Sequence, residues 1–531
     1  MSMSRREFLT ASLSSLAYFS TVSTVPRWLE RSAHAACVNG IPDDRILVLF
    51  QMGGGNDGLN TVIPYTDPKY FQTEGNGGLR PNLNISNGLE LGDGLNALHP
   101  KLSRTKDWYD NGNVAILQNI GYPNPNLSHF TGTDFWEYGI SPGSALSPTA
   151  GWASRFFDNQ CNGAPPDTIE ALAMMANGIS GLPTTLTGSP NYYPPSVKDF
   201  DSYEIKAPVP LPYGDHMRSY IEQLNNLSVP VNSELDFIQR ASSLTHASID
   251  DMAIAASVPL INSYPGSSAQ SLPINSDSLG PGLEMVSKII RAQQFKTQIF
   301  FVHQTGYDTH ADQFDFNGST PDPANLGSHP VLLDEADASI DAFLKDMDAS
   351  GDLDRVLLLT FSEFGRRPQE NGSLGTDHGT ANSLFAFGGQ DILGGVYGGQ
   401  PDLDNLLSGN QGGNLNHAVD FRSVYSIVLR DWLGVDPETI FGATDFSDPA
   451  FQIPEGMLDV PFIDTGNYDP DPVWVDKNYA GTETGSYSQP YNTLNEGVTA
   501  SEAGGTVKLK NGSTSISTSQ TVTKNVRIEA E

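Results

Sequence analysis

The residues best equipped for chemistry in this sequence are short groups of Asp, Glu, His and Arg, each set behind an apolar run. Gly306-Tyr-Asp308-Thr-His310 places a carboxylate and an imidazole two residues apart. In extended chain that spacing turns both to one side, where both reach one cation. Ser362-Glu363-Phe-Gly-Arg366-Arg367 follows another apolar run, and Gly375-Thr-Asp377-His378-Gly379 comes soon after it. Asp57 stands in Gly53-Gly-Gly55-Asn-Asp-Gly58, a glycine turn that allows close approach of an ion or an oxyanion. Converging from strand ends, Asp57, Asp308, His310, Glu363, Asp377 and His378 would form a mixed carboxylate and imidazole set. That set suits zinc or manganese first, with calcium also allowed, singly or as a pair. Arg366 or Arg367 is then the candidate clamp for an anionic substrate, through a planar two-pronged contact, with a surface ion pair as the competing use of one of them.

The glycine turn also matches the G-x-G-x-x-G spacing of a dinucleotide site, and context decides against that reading. Such a fingerprint opens a helix whose N-terminus holds a pyrophosphate, whereas here the chain is expected to run on through Leu59-Asn-Thr-Val-Ile-Pro64 as further extended structure. Asn56 and Asn60 are weighed as oxyanion donors against simple service to the turn. His129 and His417 are weighed first as structural histidines.

The elements that must hold these residues are strands buried on both faces. Arg45-Ile-Leu-Val-Leu-Phe50, Val114 to Ile120, Thr297 to Val302 and Arg355 to Phe361 are near-continuous apolar runs. Between the last two, Leu333, Ala336, Ile340, Phe343 and Met347 recur at steps of three and four, the signature of one helix face. Strand, helix, strand predicts a parallel sheet, and a further helix is expected from Asp420 to Trp432, stopped by Gly434. The expected fold class is α/β, a mostly parallel sheet sandwiched by helices, with the site outside the carboxyl ends of its strands.

Residues 36–460 are expected to form this domain, with an irregular insertion at about 143–277 that covers the site and carries helical patches at Tyr220–Leu227 and Glu234–Ala256. The Asp- and Pro-rich stretch at 461–476 has linker composition. In residues 477–531, Gly485 to Leu494, Gly504 to Lys510 and Val526 to Glu529 resemble the opening rungs of a right-handed parallel β-helix, a short all-β appendage. One or two rungs bury no core of their own, so the resemblance implies further rungs; an unstructured polar tail is the other reading.

Taken together, Gly-Gly-x-Asp-Gly-Leu-Asn, Ser128-His129-Phe130, Tyr-Asp-Thr-His, Ser-Glu-Phe-Gly-Arg and Thr-Asp-His-Gly resemble an uncharacterised twin-arginine-exported family within the alkaline phosphatase and sulfatase superfamily, over about residues 40–450. The resemblance implies a site for phosphate or sulfate esters. It makes Asp57 the first metal ligand, Ser128 the candidate nucleophile, Asp308 and His310 the ligands of one ion, and Glu363, Asp377 and His378 the rest of the set. Asp308-x-His310 is shorter than the superfamily's usual spacing, and Ser128 lacks the flanks of a sulfatase nucleophile.

The N-terminus, Arg5-Arg6-Glu7-Phe8-Leu9, resembles the consensus read by the twin-arginine translocon, and Thr10 to Val25 is too short and polar to anchor in a bilayer. Ala33-His34-Ala35 supplies a small-x-small cleavage site, so residues 1–35 read as a signal peptide and the mature protein as periplasmic or secreted. A disulfide between Cys37 and Cys161 is open there. The chain has 62 acidic and 29 basic residues, a formal charge of -33. This surface repels nucleic acid and anionic lipid, and beyond the signal no segment reads as a stable membrane span. The expected partners are an anionic ester or polysaccharide substrate and, during export, the translocon. Two functions follow: an exported metal-dependent hydrolase or transferase of phosphate or sulfate esters, or a non-catalytic envelope or carbohydrate-binding protein that keeps the fold.

Overall fold

The computed structural model describes residues 45–442 apart from 73, 143–147, most of 161–275 and 294–296, together with short stretches between 462 and 530. The expected signal segment, Cys37, Cys161 and nearly all of the Tyr220–Leu227 patch lie outside the described residues.

The apolar runs form strands. In chain order the strands of the central sheet and of an adjoining ribbon are β1 (Ile46–Gly53), β2 (Val114–Gly121), β3 (Ala171–Met174), β4 (Ser196–Val197), β5 (Ile299–Thr305), β6 (Val356–Phe361), β7 (Gly365–Glu370), β8 (Thr376–Gly379), β9 (Asn382–Gly388), β10 (Gly395–Tyr397) and β11 (Val419–Asp420). The central nine-stranded sheet runs β10-β2-β9-β6-β1-β5-β3-β4, with β11 also on β2. Only β9 is antiparallel to its neighbours, so the sheet is mixed and mostly parallel.

Side chains alternate across a strand, and β1 uses both faces. Ile46, Val48 and Phe50 point into one core, with Leu333, Ala336 and Phe343 from helix α5. Leu47 and Leu49 point into the other, with Phe421, Val424 and Leu429 from the α6 region. The helices around the sheet include α1 (Ser103–Asp110), α2 (His129–Tyr138), α3 (Trp152–Gln160), α4 (Gly280–Ala292), α5 (Ser328–Ser350) and α6 (Phe421–Ile427), the last continuing as a π turn to Trp432, and a single helical turn, Gly58–Thr61, follows the glycine turn where extended chain was expected. All five α5 residues that recur at helical steps are buried. Helix α5 ends at Gly351, whose φ of +77° suits a residue without Cβ. Asp420 caps α6 by accepting from the Arg422 amide. The expected sandwich, helices on both faces of a mostly parallel sheet, is what the chain forms.

Two further sequence expectations change here. Within the stretch read as an insertion, β3 continues the central sheet beside β5 and β4 pairs with β3; four and two residues are too few to leave a periodic signal. Near the C-terminus, Val473–Val475, Thr506–Leu509 and Arg527–Ala530 pair in parallel, but helix Leu494–Ala500 packs with them, so the appendage is not all-β. Val473–Val475, at the end of the expected linker, is therefore a strand. Among the described residues no helix is long and apolar enough to cross a membrane.

Strand sense places the candidate residues together. Strands β5 and β6 run parallel to β1, and β2 shares their sense because both it and β6 are antiparallel to β9. The carboxyl ends of β1, β2, β5 and β6 therefore open on one edge, where the connecting loops build a site.

Candidate functional site

Four loops and one ribbon meet at this edge. After β1, Gly54 has a φ of +120°, and a Cβ there would lie 2.3 Å from the Asp308 amide nitrogen. The glycine turn thus admits the backbone of the β5 loop, not an ion. The Gly54 amide donates to Glu363 Oε1 at 2.9 Å, which ties in the β6 loop. Strands β7 and β8 form an antiparallel ribbon that carries Arg366 opposite His378.

Asp308 lies at the centre. Its Oδ1 is 3.0 Å from His378 Nε2, 3.3 Å from His310 Nε2 and 2.6 Å from Arg366 Nη2; its Oδ2 is 3.3 Å from His129 Nε2. His310 Nε2 and His378 Nε2 are 2.9 Å apart. Asp308 and His310 are each 45 % exposed, so the cluster is open to solvent.

Each imidazole has an oxygen behind it. His129 Nδ1 faces Glu363 Oε1 at 2.9 Å, His310 Nδ1 faces Asp377 Oδ1 at 3.2 Å, and His378 Nδ1 faces the Leu127 carbonyl at 2.8 Å. These acceptors assign a ring proton to each Nδ1 and turn three Nε2 atoms toward Asp308. Bare nitrogens and a carboxylate this close repel unless a proton or a cation lies among them. At His129 a proton serves: hydrogen bonds to Asp308 and Glu363 push its pKa up to about 9. Burial would raise the Asp308 carboxyl, but His129, His378 and Arg366 together hold it far below the usual carboxylate range.

A divalent ion fits the same donors. His129, Asp308 and His378 offer atoms within 4.8 Å of one another, and His310 joins Asp308 and His378 at 3.3 and 2.9 Å. Tetrahedral zinc with bonds of about 2.0–2.1 Å has ligand-to-ligand edges of about 3.3 Å, close to the separations among Asp308 Oδ1, His310 and His378, while His129 approaches the other Asp308 oxygen. Carboxylate or carbonyl support behind each histidine is the usual outer shell of such a centre. Phe364 closes the back, its ring centroid 5.0 Å from that of His129 and 4.5 Å from that of His378.

The other expected site residues fall in different places. Asp57 is fully buried and paired with Arg80; its carboxylate accepts from both Arg80 terminal nitrogens and from Gln313, so it is not the first ligand of this cluster. Burial would raise its pKa, but the Arg80 charge and hydrogen bonds lower it. Glu363 and Asp377 stand behind His129 and His310 and orient them, instead of joining Asp308 among the converging donors. Arg366 is buried with its guanidinium spent on the carbonyls of Gly55, Thr376, Gly54 and Tyr307 and on Asp308, so it positions Asp308 and is not a substrate clamp. Ser128 is exposed at the N-cap of α2, and among the described residues no hydrogen bond joins its hydroxyl to the cluster. Asn56 and Asn60 are buried and bond Thr61, Leu83 and Tyr70, which serves the loop. His129, weighed in sequence as structural, belongs to the centre of the site. Arg80 and Gln313 carried no motif and were not anticipated.

A family described as "Protein of unknown function (DUF1501)" matches residues 288–413, which include Asp308, His310, Glu363, Arg366, Asp377 and His378. No curated protein matches the chain. Among solved structures it is similar to a protein in the alkaline phosphatase superfamily from Vibrio parahaemolyticus, with 9 % identity, a TM-score of 0.34, and 78 % of this chain and 76 % of that one covered. It is also similar to the lipoteichoic acid synthase LtaP from Listeria monocytogenes, with 9 % identity, a TM-score of 0.28, and 77 % and 78 % covered. A third is alkaline phosphatase from the Antarctic bacterium TAB5, with 10 % identity, a TM-score of 0.25, and 66 % and 94 % covered.

Proposed function

We propose that this chain is an exported metal-dependent hydrolase or transferase acting on phosphate or sulfate esters, polysaccharide esters among them. The observation that carries the reading is the convergence of three Nε2 atoms on one exposed carboxylate, each ring held from behind by an oxygen. The motif resemblance over residues 40–450 supplies the substrate class, and Arg5-Arg6 with Ala33-His34-Ala35 supplies the route of export to the periplasm or beyond. His129, Asp308, His310 and His378 would hold zinc or manganese. When bound, the ion lowers the pKa of a coordinated hydroxyl or water and offsets charge on the transferred group. Glu363 and Asp377 keep two imidazoles in the binding tautomer, Arg366 keeps Asp308 ionised and in place, and Ser128 is the candidate acceptor of the transferred group.

Metal content of the naturally exported protein, measured by mass spectrometry beside an Asp308→Ala/His310→Ala double variant, tests the reading. Zinc or manganese in the wild type and its loss in the variant is expected, followed by turnover in a panel of phosphate and sulfate esters. Metal-free wild-type protein would sink it.

The alternative, a non-catalytic carbohydrate-binding or envelope protein, is favoured by one observation. Phe130, beside His129, is 86 % exposed, an apolar ring available for stacking on a sugar face. Metal-loaded protein that binds sulfated or phosphorylated glycans without turnover would select it.

A further inference from the structure

We infer that the site holds one divalent cation, and that the guanidinium of Arg366 occupies the place a second cation would need beside Asp308. The inference rests on the metal reading above and concerns its stoichiometry, which the motifs left open between a single ion and a pair.

A pair of ions about 3.5–4 Å apart needs two donor sets, usually joined by carboxylates that offset four positive charges. Six acidic or histidine residues in the motifs made such a pair conceivable. The geometry withdraws most of the carboxylates. Both Asp57 oxygens accept from Arg80, and Oδ2 accepts from Gln313 as well. Glu363 Oε1 accepts from the Gly54 amide and faces His129 Nδ1, while Oε2 lies 3.4 Å from Ser362 Oγ. Asp377 Oδ1 faces His310 Nδ1 and accepts from Asn371 at 3.1 Å. Asp308 remains, with three imidazoles. One carboxylate and three neutral nitrogens serve one ion and cannot be divided into the two carboxylate-joined sets that a pair needs.

The space beside Asp308 Oδ1 is already positively charged. Arg366 Nη2 sits 2.6 Å away, and the guanidinium cannot swing aside: Nε donates to the Gly55 carbonyl at 2.7 Å, Nη1 to Thr376 at 3.0 Å and Nη2 also to Tyr307 at 2.9 Å. A guanidinium is charged at every working pH and repels a second dication at this oxygen. Asp57, which would have to serve that dication, is neutralised by its own arginine.

The test is a titration of the chelator-stripped, full-length protein with cobalt(II), followed by its visible absorption and by metal analysis after desalting. A single saturating phase at one cobalt per chain is expected. Two equivalents, or a second spectral phase, overturn the inference while leaving the metal reading intact. No retained cobalt overturns both. Asp57→Asn, checked for folding by circular dichroism, is expected to keep one equivalent, and its loss from a folded variant would make Asp57 a ligand. Should that variant not fold, Asp377→Asn on the exposed side gives the parallel measurement, with one equivalent bound at 10- to 100-fold weaker affinity. A drop to zero at saturating cobalt would make Asp377 indispensable and overturn the assignment of ligands.

Discussion

Asp57 and Arg80 meet through two hydrogen bonds of 2.7 and 2.9 Å, and both side chains are fully excluded from water. Arg80 also donates to the carbonyls of Pro368 and Arg367, so the pair fastens the β1 turn to the ribbon that bears His378. Removing one partner from a buried pair strands the other charge, at a cost of about 3–5 kcal/mol. Asp57→Asn is therefore expected to lower the thermal midpoint markedly while the folded fraction keeps its metal. A variant as stable as wild type would show that the pair is dispensable.

Glu363 Oε1 faces His129 Nδ1 at 2.9 Å, and on the proposed reading it acts through that ring. Replacing it with Gln keeps the shape but removes the charge that orients the ring, and outer-shell changes of this kind typically weaken metal binding 10- to 100-fold. Competition with a calibrated chelator measures the effect. Unchanged affinity would separate Glu363 from the metal.

Gly54→Ala tests the backbone approach between the β1 and β5 loops. The added Cβ would lie 2.3 Å from the Asp308 nitrogen, on a φ of +120° that other residues rarely adopt. The expected outcome is weaker metal binding at nearly native secondary structure, because Asp308 is displaced while the sheet is untouched.

Two buried regions set opposite limbs of the pH–stability curve. Burial pushes His99 down to about 3 and His329 down to about 4. Their neutral forms favour the fold above pH 6.5, and that stability is lost as pH falls from there through 4 toward 3, on the order of several kcal/mol. Burial pushes Glu137 up to about 7, so its contribution is present below pH 4.5 and lost as pH rises through 7. Glu137→Gln should therefore match wild type near pH 5 and gain on it by pH 8. Thermal melts across this range check both limbs, and parallel curves for the two proteins would refute the second.

The strands were legible because a strand covered on both faces must be apolar along its whole length, as Ile46 to Phe50 is. Asp308, His310 and His378 were legible because each sits in a short polar group just beyond such elements. His129 was not, because its partners Glu363 and Asp308 lie far along the chain and nothing beside it marks the contact. Asp57 looked like a ligand for the same reason reversed: its neutralising Arg80 lies in a turn with no pattern of its own. Arg366 carried the charge of a substrate clamp, and only the surrounding carbonyls show that its donors are spent.

The candidate ligands His129, Asp308, His310 and His378 come from three separated stretches, and an unfolded chain does not hold them together. On the proposed reading, a metal ion with this address would bind the native state and scarcely the unfolded one, so free metal concentration would become a stability variable. Each tenfold excess over the dissociation constant adds about 1.4 kcal/mol, and the melting temperature should climb with the logarithm of added zinc. Such an ion would act as a cross-link over some 250 residues of sequence, from His129 to His378.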